Sequence, residues 1–255
     1  MNYFVSCIYG DFDKYQRIKN DLNLKGKDHL WILGDVLDGN DEDPEANLEI
    51  LNDIMYAPNI TLILGDHEYA RCMEYSASDN AEIAKSWKEY ANALEVSGSA
   101  FNEFVSSSFS QDDRDTYFGS FLVGSCELSA VIPIGGRYFY AVHGRPTTFA
   151  SSILPEWQLA TCSDNPDFKK EVFKSIKTDE FAIPYIRQQK MNRDNTIAIV
   201  GQMSAAKATN MLGVEDNGSG VFFANKTLAI GRTFTDEPIP VVGIDAAGFF
   251  VVGLY

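Results

Sequence analysis

Three side chains stand where an apolar run gives way to glycine: Asp35 after Leu33-Gly34, Asp66 after Leu64-Gly65, and His143 just before Gly144. Two carboxylates and one imidazole at the ends of separate buried segments form the donor set of a divalent-ion site. The imidazole favours Mn²⁺, Fe or Zn²⁺ over Ca²⁺ or Mg²⁺, because nitrogen is a borderline ligand. A fourth segment, Ile199-Val200-Gly201-Gln202, has the same shape but no ionisable group. Each residue alone has a plainer reading. An aspartate at a strand end caps a loop, and a histidine there bonds nearby backbone. The repetition of the pattern is what points to chemistry.

Such residues meet only if parallel strands carry them to one edge of a sheet. The hydrophobic pattern supplies those strands. Residues 3–8, 29–33, 60–64 and 196–200 are short runs rich in apolar and β-branched residues, and read as buried strands. Helical spacing fills the gaps. Residues 14–22 place Tyr15, Ile18 and Leu22 on one face, with Asp13 as the expected cap. Residues 45–57 repeat the pattern with Leu48, Leu51, Ile54 and Met55, after a solvated acidic loop at 40–44. This alternation of strand and helix implies an α/β fold with parallel neighbours. Residues 123–134 and 137–142 read as a hairpin around Gly135-Gly136, and 220–255 as strands joined by turns. Residues 69–115 and 149–195 read as polar, largely helical insertions, the first a candidate cap. No linker divides the chain, so residues 1–255 are expected to form a single domain.

The bulk composition narrows the partners. With 255 residues the core needs no disulfide or metal for folding. The formal charge of −15 repels phosphate backbones and anionic lipid, which argues against nucleic acid and membrane surfaces. It also opposes long-range steering of an anionic substrate unless a bound cation reverses the local field. Cys7, Cys72, Cys126 and Cys162 are widely spaced, form no C-x-x-C pair, and read as reduced thiols of a cytoplasmic protein. Residues 1–5 lack the basic start of a signal peptide. No apolar stretch approaches the ~20 residues of a membrane helix.

The chain resembles the calcineurin-like metallophosphoesterases, and within them the bacterial serine/threonine phosphatase type. That family reads Asp-x-His-Gly, then Gly-Asp-x-x-Asp-Arg-Gly, then Gly-Asn-His-Glu, with later His-Ala-Gly and Gly-His segments. Here the corresponding runs are Cys7-Ile8-Tyr9-Gly10, Gly34-Asp35-Val36-Leu37-Asp38-Gly39, Gly65-Asp66-His67-Glu68, His143-Gly144 and Gly201-Gln202. The resemblance implies a β-sandwich of mixed sheets flanked by helices, with helical insertions. It implies that Asp35 bridges two metals, and that Asp66, His143 and Gln202 hold the second of them. It makes His67 the proton donor to the leaving oxygen and Asp38 the carboxylate that orients it. Arg145 either binds an anion or pairs with Asp38 or Asp66. Gly39 stands where the family often has a phosphate-binding arginine.

Cys7 and Tyr9 replace the two private ligands of the first metal. A phenol with an ordinary pKa near ~10 is a poor ligand at neutral pH. Two metals normally clamp the attacking and leaving oxygens. The expectation is therefore no metal or one divalent ion (Mn, Fe or Zn), and a weakly active or inactive pseudophosphatase with a binding or regulatory role. A phosphoprotein or a small phosphorylated ligand is the expected partner. The alternative is an active phosphomonoesterase or phosphoprotein phosphatase with a mononuclear or unusual metal site. A chance match by an unrelated α/β fold is the third reading.

Overall fold

The computed structural model describes residues 1–40, 42–75, 99–127, 129–144, 196–201, 219–224, 227–231 and 237–255. Strand β1 (Asn2–Val5) leads into helix α1 (Phe12–Leu22), and β2 (His29–Ile32) into α2 (Glu45–Tyr56). Strand β3 (Ile60–Ile63) is followed by α3 (Asp66–Tyr75), α4 (Ser99–Ser108) and α5 (Gln111–Gly124). Eight described strands come after, the first seven being β4 (Cys126–Glu127), β5 (Ser129–Ile134), β6 (Arg137–Val142), β7 (Thr196–Val200), β8 (Val221–Ala224), β9 (Thr227–Ile230) and β10 (Pro240–Ile244). Strand β11 (Phe249–Leu254) is the last.

Among the described residues two mixed sheets result. The first has six strands in the order β11-β10-β1-β2-β3-β4, with β1 to β4 mutually parallel and β10 antiparallel to β1. The second has five, in the order β5-β6-β7-β9-β8, with β6, β7 and β9 parallel. One apolar cluster fills the space between the sheets: Phe4, Leu33 and Ile63 from the first meet Phe139, Ala141, Ile199 and Leu228 from the second. A second cluster joins the opposite face of the six-stranded sheet to the helices, through Val5, Leu30, Ile32, Leu62, Tyr15, Leu51, Tyr69, Phe101, Phe118 and Phe121. The fold is thus the expected α/β sandwich of mixed sheets flanked by helices.

Local departures have local causes. The first strand ends at Val5 rather than at residue 8, because Cys7 and Tyr9 adopt left-handed backbone at φ 58° and 52°. Asp11, not Asp13, caps α1: its carboxylate accepts from the Lys14 N–H at 3.0 Å. Val123 lies in α5 instead of opening the hairpin. That hairpin is the antiparallel pair β5–β6, with Gly135 and Gly136 both at positive φ in its turn. The described helices of the 69–115 region share the helical apolar cluster with α2 and the six-stranded sheet, through Tyr69, Phe101 and Val105. The expected insertion at 149–195 lies outside the described residues, as do Asp41 and Cys162.

Candidate metal centre

The site forms where the carboxyl ends of both sheets meet. Asp35 sits three residues beyond β2, Asp66 opens α3 just after β3, and His143 follows β6 directly. The first sheet contributes the two carboxylates and the second the imidazole. One ligand atom from each of the three lies within 4.8 Å of the others, and all three residues are buried.

Hydrogen bonds fix the orientation of each. His143 Nδ1 donates to the Leu33 carbonyl at 2.6 Å; a carbonyl only accepts, so this nitrogen carries a proton. Nε2 donates to Asp66 Oδ1 at 3.1 Å and lies 3.3 Å from Asp35 Oδ1. The single Nε2 proton is directed at Asp66, and Asp35 Oδ1 is buried with no hydrogen-bond partner among the described residues. The other oxygen, Asp35 Oδ2, accepts from the Tyr9 hydroxyl at 3.3 Å and from Cys7 Sγ at 3.9 Å. Cys7 Sγ also lies 3.7 Å from the Gly201 carbonyl and 3.3 Å from Ser6 Oγ.

Beside this triad lies a second array. His67 Nδ1 donates to Asp38 Oδ2 at 3.0 Å. Arg71 Nε donates to both Asp38 oxygens, at 3.1 and 3.2 Å, and Arg71 Nη1 donates to Glu74 at 3.1 Å. The Tyr9 ring meets the His67 ring edge-on, with centroids 5.6 Å apart. Tyr9 therefore touches both arrays, its hydroxyl on Asp35 and its ring on His67.

Burial and proximity set the charges. Burial raises Asp35 to about 7, against the lowering pull of His143. Burial also works against protonated His143 and His67. Asp35, Asp66 and the hydrogen bonds outweigh it, raising His143 to about 9 and, with the help of Asp38, His67 to about 10. Asp66 is held well below its ordinary range: burial alone would raise it, but the His143 hydrogen bond and both imidazoles prevail. Burial, then the neighbouring Cys7 and Asp35, drive the Tyr9 phenol far above its ordinary value, so it stays neutral.

The donor set fits one divalent ion. Asp35 Oδ1 lies 3.3 Å from His143 Nε2, has no hydrogen-bond partner among the described residues, and faces Asp66. The Leu33 carbonyl fixes the imidazole so that Nε2 can serve as a ligand once it loses its proton. The other Asp35 oxygen, Oδ2, accepts from the Tyr9 hydroxyl and the Cys7 thiol.

The expected residues thus separate into groups. Asp35, Asp66 and His143 come together, and Asp38 meets His67. Gln202 and Arg145 lie outside the described residues. The guanidinium found on Asp38 belongs to Arg71, which the sequence reading left without a role; it lies one helical turn after His67, an i,i+4 spacing on α3. Glu68 was likewise given no role. Its carboxylate accepts four backbone N–H groups: those of Val36 and Leu37 on Oε1, at 2.7 and 2.9 Å, and those of Asp35 and Gly65 on Oε2, at 2.9 and 3.1 Å. Its position three residues after Gly65 is capping-box spacing, a visible signal.

Comparison with known proteins supports the same framework. The profile of a family described as calcineurin-like phosphoesterase matches residues 3–180. A protein serine/threonine phosphatase from Saccharomyces cerevisiae superposes with a TM-score of 0.60 at 16% identity, covering 100% of this chain and 79% of that one. A cold-active protein tyrosine phosphatase superposes with a TM-score of 0.54 at 11% identity, covering 99% and 80%. At such identities the likeness speaks for the fold alone. No curated protein matches the chain.

Proposed function

The chain belongs to the calcineurin-like phosphoesterase family, and from that premise we propose that it is a pseudophosphatase of the bacterial serine/threonine type. It holds one divalent ion, hydrolyses phosphoesters weakly or not at all, and binds a phosphorylated protein or small molecule in a regulatory role in the cytoplasm. The observation that carries this reading is the Tyr9 hydroxyl on Asp35 Oδ2. A neutral phenol there occupies the oxygen that a second ion would share. A neutral donor neither brings the charge of a cation nor activates water.

Asp35, Asp66 and His143 would hold the single ion, with Gln202 as a candidate fourth ligand. When bound, that ion supplies Lewis acidity and a positive charge for a phosphoryl oxygen. The rest is the work of this chain's own side chains. Asp38, gripped by Arg71, orients His67 and keeps its proton in place. Tyr9 and Cys7 quench one side of Asp35. Arg145 is the candidate anion contact.

Manganese and zinc titrations test the reading, with Asp35→Ala as control. One ion per chain in the wild type and none in the variant are expected. Hydrolysis of p-nitrophenyl phosphate should appear only after Cys7→Asp, Tyr9→His and Gln202→His are combined. One observation favours a second reading, that of a working mononuclear phosphomonoesterase: the buried His67–Asp38–Arg71 array is intact, with a protonated imidazole at neutral pH. Wild-type turnover that requires both metal and Asp35 would establish that alternative.

A further inference from the structure

We propose that Glu68 is the positioning residue of the ion site, an internal anion that holds the Asp35 and Asp66 loops in ligand geometry before any ion arrives. The inference deepens the one-ion reading and takes from it only that Asp35 is a ligand. Its basis is the set of four backbone N–H groups on one carboxylate. A carboxylate offers about four lone-pair sites, and here all are taken by amides. Glu68 is fully buried, so none of its acceptor capacity goes to water. It is therefore saturated and is not itself a ligand.

The four amides belong to two separate loops. Asp35, Val36 and Leu37 follow β2, whereas Gly65 follows β3. Three successive N–H groups converging on one anion form a nest, the arrangement that other proteins present to phosphate. Here the nest is filled by the chain's own side chain. The approach also explains a glycine. A Cβ on Gly65 would sit 2.5 Å from both Glu68 Oε2 and the Asp35 nitrogen, and 2.6 Å from Asp35 Oδ1. The clamp closes only because residue 65 has no side chain.

The clamp has backbone to restrain. Asp35 and Asp38 hold left-handed conformations at φ 58° and 61°, which side-chain-bearing residues adopt only when their surroundings over-determine them. Asp38 N is tied separately, to Asn47 Oδ1 at 3.0 Å. Glu68 ties the three residues before it. The site is thus preorganised by protein alone, and ion binding does not have to order the loop.

Glu68→Gln is the test. An amide presents one oxygen and one NH₂ to the four donors, so two of the four bonds are lost. Hydrogen exchange should quicken about tenfold at the affected amides among Asp35, Val36 and Leu37, relative to β2 amides such as Ile32. Manganese affinity should fall about 10- to 100-fold, the range for residues that orient metal ligands. Tyr15→Phe is the comparison. It breaks the half-buried Tyr15–Asp53 bond outside the site and should leave manganese affinity unchanged. Equal affinity losses in both variants would reduce Glu68 to a general stabiliser and overturn the proposal, as would unaltered exchange in Glu68→Gln.

If Glu68→Gln does not fold, the metal-free wild type decides. Amides of residues 35–37 exchanging as slowly as those of β2 support the clamp, and exchange at exposed-loop rates refutes it. A wild type that takes up no manganese defeats the one-ion reading, while the exchange comparison still judges the clamp.

Discussion

At the scale of single residues, the ion site is a proton store. His143 and His67 are raised from an ordinary 6.5 to about 9 and about 10. Their folded values exceed the unfolded one, so the stability they contribute is fully present below pH 6.5 and lost as pH climbs through 9 and 10. Asp35, raised to about 7, acts in the same direction at lower pH. Asp66 is depressed, so its contribution is present above its ordinary 3.8 and fails only in acid. The urea midpoint of chelator-treated protein should therefore fall steadily between pH 6.5 and 10. A flat profile would contradict the charge assigned to both imidazoles. An arriving ion must also displace the His143 Nε2 proton. Manganese affinity should weaken as pH drops below 9, and titration in a weakly buffered solution should register proton release on binding.

At the scale of elements, the Asp11 cap invites a simple measurement. Asp11→Ala should cost about 1 kcal/mol, read as a lowered urea midpoint. Asp11→Ser keeps the cap while losing the surface ion pair to Lys14, and should retain most of the stability. The elements show what was legible in the chain. Strand cores such as Leu30–Ile32 and the helical face Tyr15, Ile18 and Leu22 were readable because periodicity reports burial directly. The meeting of Asp35, Asp66 and His143 was readable because each stands beside a glycine at a strand end. The ends of elements were less so. The sequence points to Asp13 as the cap of α1, whereas the cap is Asp11, two residues earlier. The left-handed turns at Cys7 and Tyr9 carry no local signal, since neither residue type favours them. Glu68 and Arg71 act on partners about thirty positions away in sequence, a distance that local pattern cannot reach. Tyr9 was seen as a missing ligand. Its positive act, donating to Asp35, depends on the fold that brings two segments 26 residues apart together.

At the scale of the whole molecule, the two apolar clusters have different duties. The cluster between the sheets sets the distance from His143, on the five-stranded sheet, to Asp35 and Asp66, on the six-stranded one. Ile199 is fully buried there, and its strand partner Ala141 lies two residues before His143. Ile199→Ala should cost about 2–5 kcal/mol and also lower manganese affinity, although it touches no ligand. Phe118 belongs to the helical cluster. Phe118→Ala should cost about 3–5 kcal/mol and leave the affinity intact. Urea titration paired with metal titration on both variants separates the two duties. At the far edge of the six-stranded sheet, β11 exposes Phe249, Phe250, Val252 and Leu254 with no charge among them. Edge strands are commonly guarded by lysine. Phe250→Lys should accordingly raise solubility in ammonium sulfate without shifting the unfolding midpoint by more than about 0.5 kcal/mol.

Cys7, Tyr9, Asp35 and Asp38 are four of the five described non-glycine residues with left-handed backbone, and all four belong to the two arrays of the candidate site. Each costs about 1–2 kcal/mol that glycine would not. Under neutral drift these positions would be the first to erode, because glycine relieves strain at every one of them. Descendants of this chain that keep side chains there would record selection acting on the site itself. A lineage that fills them with glycine would record its release.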